Sequence, residues 1–234
     1  MSDRRRAILE AAARVIARRG VRGLRVGELA AEAGVSTALI YYHFQDRTGI
    51  LRHALAFIGD RADRYTGTGS AAHRGAAEPG ATEPDPGEAA ARESDAGEPV
   101  AGESVAGESV AEDPLRLLER TLLLEFQDLP EVRENSTAWG ELRAHTIFDP
   151  ELREELAAAG AAWVEEVAGL LGALQPAAPA GAVTAAAERL TALLEGLSGR
   201  WLSGLLPVGH ARDLMRGAIG VEIGLLGSLI SRID

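Results

Sequence analysis

The 234-residue chain contains no cysteine and no lysine, and only ten aromatic residues: three Trp, three Tyr and four Phe. Without cysteine there can be no disulfide, thiolate metal site or cysteine nucleophile. Without lysine, all 24 formal positive charges are arginines, whose planar fork suits phosphate and guanine. A bilayer-spanning run is also missing, since the most apolar stretch, residues 218–230, is short and interrupted by Glu222. The opening MSDRRR runs directly into an amphipathic pattern with no signal-like apolar segment. The expectation is a cytoplasmic protein with no membrane partner. No GxSxG, HExxH, GxxxxGK or GxGxxG motif occurs. The five histidines are scattered, and the nearest approach to a metal set, His145 with Asp149 and Glu151, straddles a helix boundary. An enzyme, a metal site and a cofactor are therefore not expected.

The charge that is present is unevenly distributed. The chain totals -11, but residues 1–65 carry twelve arginines against seven acids, and the remaining residues twelve against twenty-eight. A basic head on an acidic body suits a DNA-binding unit joined to a regulatory one. Periodicity predicts an all-α fold. Ile8, Leu9, Ala12, Val15 and Ile16 mark a first helix over 4–19, stopped at Gly20, and short helices follow over 26–33 and 37–43. A fourth helix over 47–64 buries Ile50, Leu51, Ala54, Leu55 and Ile58. Residues 66–113 shift to Gly, Ala, Glu, Pro, Ser and Thr, with repeats AGEPV, AGESV and AGESV, and read as a disordered acidic insertion. A helical body, 114–234, resumes at Pro114, with further helices expected over 130–146, 150–173, 182–205 and 209–232.

The turn at Gly34-Val35, followed by Ser36 at a capping position, joins two short helices as a helix-turn-helix, whose second helix enters the major groove. The run ELAAEAGVSTALIYYHFQDRTGILRHAL, residues 28–55, resembles the DNA-binding signature of TetR-family transcriptional regulators. The resemblance implies that Tyr41, Tyr42, His43 and Arg47 contact phosphates; Arg25, at the start of helix two where the family usually has Ser or Thr, loses the cap and is a further candidate for a phosphate contact. Base reading would fall to the first turn after Ser36: Thr37 by hydrogen bond, Ala38 and Leu39 on thymine methyls. Arg4, Arg5 and Arg6 are expected to form a flexible arm ahead of the first helix, or a solvated charge run.

The segment RLTALLEGLSGRWLSGLL, residues 189–206, resembles the eighth helix of a large subgroup of the same family. It implies a homodimer built on a four-helix bundle that buries Leu193, Leu197, Trp201, Leu205, Ile219, Ile223, Leu226 and Ile230. Gly217, Gly220, Gly224 and Gly227 would permit close helix approach. For a small-molecule effector, the aromatic and polar residues Phe126, Trp139, Arg143, His145, Phe148 and Trp163 are the candidate lining. The expected function is a ligand-responsive repressor acting on a palindromic operator; the rival is a helical interaction scaffold that no longer binds DNA specifically.

Overall fold

The computed structural model describes residues 3–66 and 113–230, and the expected acidic insertion, save its end residues 66 and 113, lies outside the described residues. Within them the chain is helical and contains no strand. The head comprises α1 (Asp3–Arg19), α2 (Val26–Ala33), α3 (Thr37–Phe44) and α4 (Arg47–Thr66). The body comprises α5 (Pro114–Leu123), α6 (Pro130–His145), α7 (Arg153–Leu174), α8 (Ala180–Leu202) and α9 (Val208–Ile230). Two 3-10 turns, Val21–Gly23 and Pro150–Leu152, were not foreseen. The first follows Gly20 and the second begins at Pro150, sites that signal only a helix end or start and where i→i+3 bonding competes with the α pattern over a few residues.

Arg4, Arg5 and Arg6 are not an arm but the first turns of α1. Arginine is a good helix former, no breaker separates it from the apolar stripe, and Asp3 supplies a favourable acid in the first turn. Arg6 pairs with Glu10 one turn on, at 3.0 Å, and the Arg5 guanidinium lies 5.8 Å from the centre of the Phe44 ring.

The head closes around Ile8, Leu9, Val15 and Ile16 of α1, Leu29 of α2, Ile40 and Phe44 of α3, and Ile50, Leu51, Leu55 and Ile58 of α4. Fully burying each large side chain contributes about 1.5–3 kcal/mol. This core does not stop at the head: Ala138 and Leu142 of α6 and Leu152 belong to it, with Trp139 packed alongside. A second core joins α5, α7, α8 and α9 through Leu118, Leu122, Phe126, Val167, Leu171, Leu190, Met215 and Ile219. Among the described residues one segment, Pro150–Leu174, is long and apolar enough to cross a membrane: an 18-residue window in it has mean hydropathy 1.3 and only 11% of that window is buried, Val167 and Leu171 of the segment lying in the second core.

Polar contacts tie α4 to the body. Asn135 donates from Nδ2 to the Ile58 carbonyl at 3.2 Å, Arg61 pairs with Glu134 at 2.8 Å, Thr48 donates to Glu151, and Arg52 pairs with Glu155. The Glu155 carboxyl is held below its usual range by its own backbone N–H and by Arg52, against the opposing effect of burial.

Candidate nucleic-acid interface

The turn between α2 and α3 is set by local chemistry. Gly34 closes α2 in the left-handed region, at φ 66°, while Val35 donates back to the Ala30 carbonyl at 3.0 Å. Ser36 then caps α3, its hydroxyl oxygen accepting from the Leu39 N–H at 3.2 Å. Arg25 occupies the N-cap of α2 without a side-chain capping bond, as its chemistry requires. Ile40 and Phe44, four apart, point into the core. Rotation of α3 on these two anchors decides what faces outward.

That outward face holds most of the residues singled out in the sequence. Thr37 and Ala38 are exposed, Leu39 is half-buried, and Tyr41 and Tyr42 stand out by 51% and 81% of their surface. His43 is half-buried, with its ring edge-on to Tyr42 at 5.2 Å between centroids. Two large aromatic side chains left in solvent beside the first turn of a capped helix form a polar-tipped ridge, suited to phosphate oxygens on either side of a groove.

Arg47 is placed differently from the rest. Its Nη2 donates to the Val21 carbonyl at 2.8 Å and its Nε to the Leu24 carbonyl at 3.4 Å. Those two N–H groups are thus committed within the head. The positive charge of α1 is also partly consumed: Arg14 and Arg18 both grip Glu32 of α2, and Arg19 pairs with Glu28 at 2.6 Å. Side-chain hydrogen bonds from Arg14 and Arg18 hold the Glu32 carboxyl below its usual range. The charge excess of the head therefore overstates what the reading face offers.

Two families of known proteins match the chain in sequence. The model for bacterial regulatory proteins of the tetR family matches residues 8–54, and that for the C-terminal part of BetI-type transcriptional repressors matches residues 114–223. A TetR-family transcriptional regulator from Rhodococcus sp. is similar in structure, with 38% sequence identity and a TM-score of 0.71, over 95% of this chain and 100% of that one. The chain belongs to the TetR family. It is accordingly a DNA-binding transcription regulator and not an enzyme. A transcriptional regulator from Saccharomonospora viridis, solved in complex with choline, is 25% identical with a TM-score of 0.66, over 94% of this chain and 97% of that one. A further regulator from Rhodococcus sp. Rha1 shares the fold, at 16% identity and a TM-score of 0.65, over 96% of each chain. No curated protein matches the chain significantly.

In this TetR-family body the residues expected to line one effector pocket are divided between two cores and the surface. Phe126 is wholly buried in the second core, edge-on to Trp201 at 6.4 Å, and Trp163 packs on the same core. Trp139 packs instead on the head core. Arg143 pairs with Glu195 at 3.1 Å, His145 stands 3.3 Å from Asp149, and Phe148 is largely exposed with Arg22 over its ring at 6.0 Å. Two open clefts lie elsewhere. One of about 460 Å³ runs between α1, α4 and α6, lined by Arg6, Glu10, Arg14, Phe57, Arg61 and Glu134 among others. Another of about 400 Å³ lies between α7 and α8, around Val164, Ala168 and Glu188.

The expected bundle residues also require correction. Leu197, Trp201, Ile219 and Leu226 are buried within the protomer, so they cannot serve an interface. The apolar side chains that α8 and α9 leave outside are Leu193, Leu214, Val221, Leu225 and Leu229, with Leu205 exposed just past α8, while Ile223 and Ile230 are half-buried. Gly217, Gly220 and Gly224 lie on the exposed side with them, whereas Gly227 sits against the Gln175 amide, 3.6 Å from where a Cβ would be.

Proposed function

We propose that the protein is a cytoplasmic, ligand-responsive repressor that acts as a homodimer on a palindromic operator. The observation that carries the reading is the α3 face: Ile40 and Phe44 are anchored inward while Thr37, Ala38, Tyr41 and Tyr42 are presented to solvent. In this reading Thr37, Ala38 and Leu39 meet base edges, Ser36 caps the turn that presents them at the DNA, and Tyr41, Tyr42, His43 and Arg25 meet phosphates. One eight-residue recognition helix offers too little surface for a specific site, and two related by a two-fold axis read a palindrome. The exposed Leu193, Leu214, Val221 and Leu225 with their neighbouring glycines support pairing of α8 and α9 across that axis.

Ligand response is supported by the choline complex of the relative described above and by the way α4 is gripped from the body. A ligand that shifts α6 or α7 would displace α4 through Asn135, Glu134 and Glu155, and so alter the spacing of the two heads. The test is selection of duplexes from a randomised pool, followed by binding of the selected site and a scrambled one. Enrichment of a palindrome with thymines facing Ala38 and Leu39, weakened by Tyr42→Ala, supports the reading. If no sequence is enriched, the chain is not a sequence reader and the scaffold reading replaces it.

A further inference from the structure

Arg47 opens α4 at the point where the family signature places a basic residue, yet its guanidinium turns back into the head. The two carbonyls it spans, Val21 and Leu24, bracket the 3-10 turn that joins α1 to α2. Arg25, the next residue, starts the reading unit. A planar guanidinium can donate from Nε and Nη2 to two acceptors at once, which a lysine ammonium on a narrower stem cannot match in direction.

The same corner is approached from the body. At Gly20 an added Cβ would lie 2.6 Å from Oε2 of Glu141 on α6, and Arg22 stacks over Phe148 in the α6–α7 connection. The corner formed by residues 20–24 is thus held by α4 on one side and by the body on the other. α2 departs from it, and α3 follows α2 across a turn with no slack: Gly34, Val35 and the Ser36 cap are all hydrogen-bonded.

We propose that Arg47 is a positioning residue that locks the α1–α2 corner to the start of α4, and thereby sets the tilt of the recognition helix, rather than pairing with a DNA phosphate. This rests on the DNA-binding reading above. Motion of α4 would reach α3 by two routes, the shared core and the Arg47 bracket.

The two roles leave different marks on salt dependence. A residue that neutralises a phosphate releases a counterion, so its loss lowers the slope of log affinity against log salt by about 0.9. A positioning residue changes affinity without changing that slope. The experiment measures wild type, Arg47→Lys and Arg47→Gln on the duplex selected by the wild type and on a scrambled duplex, across a salt series. The expected result is a loss of about tenfold or more on the selected site in both variants, with the slope unchanged and scrambled binding little affected.

The proposal is overturned if the slope falls by about one contact, if Arg47→Lys restores binding, or if both variants bind as the wild type does. Circular dichroism checks that the variants fold. Independently of any variant, the Arg47 Nε–H of the DNA-free wild type should be protected and resolved by NMR, and an Nε–H that becomes ordered only on adding DNA overturns the proposal. Failure of the wild type to select any sequence defeats the DNA-binding reading itself, while the Nε–H signature still reports on the corner.

Discussion

Arg189 on α8 holds the Glu222 carboxylate of α9 through two hydrogen bonds, Nε to Oε1 at 2.7 Å and Nη2 to Oε2 at 2.6 Å. Glu222 is 7% exposed whereas the arginine keeps half its surface in solvent. Hydrogen bonding to Glu222 raises the already high pKa of Arg189, so the cation persists at any ordinary pH. Removing the two partners should therefore have unequal effects. Arg189→Ala leaves a buried carboxylate without its counter-charge and should cost about 2 kcal/mol in urea unfolding, less than a wholly buried pair because water reaches the site. Glu222→Leu strands only a solvated guanidinium and should cost less. Equal losses would show that burial of Glu222 does not govern the pair.

Acid should loosen the α1–α2 contact. Glu32 has a lowered pKa in the folded head, so its contribution is present above the unfolded carboxylate pKa, about 4.3, and is lost as pH falls through the lower folded value. The melting temperature of the wild type should therefore fall as pH drops below the unfolded carboxylate pKa of about 4.3, and fall less steeply in Glu32→Gln. Parallel profiles for the two proteins would rule out this carboxylate as a contributor.

Two glycines of the reading unit should respond to alanine for different reasons. At Gly49, whose N–H donates to Asp46 Oδ1 at 2.6 Å, a Cβ would collide with the Phe44 backbone carbonyl. At Gly34 a Cβ meets nothing within 4 Å, and the penalty is only that of the left-handed φ. Gly34→Ala should cost about 1 kcal/mol and Gly49→Ala about 2 or more, because backbone cannot step aside as a side-chain end can. Denaturant midpoints of the two variants decide the order.

The exposed faces of α8 and α9 make a prediction about assembly. Val221→Asp with Leu225→Asp should halve the mass seen by sedimentation at micromolar concentration, leave the circular dichroism of the protomer intact, and weaken operator binding. Leu226→Ala, which lies in the protomer's own core, should instead lower the melting temperature by a cost of about 2–5 kcal/mol. A double variant that stays dimeric would place the contact on another surface.

The course of the helices was largely legible, because Ile8 to Ile16 and Ile50 to Ile58 repeat with helical period and Gly20, Gly34 and Ser36 punctuate them. The outward face of α3 was legible for the same reason: once Ile40 and Phe44 are assigned inward, Tyr41 and Tyr42 have no choice but outward. What escaped was whatever depends on a partner distant in sequence. On α9 the apolar pattern contains two stripes, Met215, Ile219 and Leu226 inward and Leu214, Val221 and Leu225 outward, and period alone does not say which meets the protomer's own core. Trp139 and Trp163 look alike as sequence and end in different cores. Arg47 gave no local sign that carbonyls 23 and 26 residues earlier would take its donors.

Ala138, Leu142 and Leu152 complete the core of the head, although they lie beyond the segment that separates head from body in sequence. The exchangeable module is therefore larger than the DNA-reading helices. A chimera joined after α4 would set foreign side chains against these three positions and lose the Arg61–Glu134 pair, whereas one that carries α6 and the turn at Pro150–Leu152 along with the head would keep its native seam. If the proposed base contacts of Thr37, Ala38 and Leu39 hold, altered DNA preference is thus better sought by recoding these three in place than by transplanting a head.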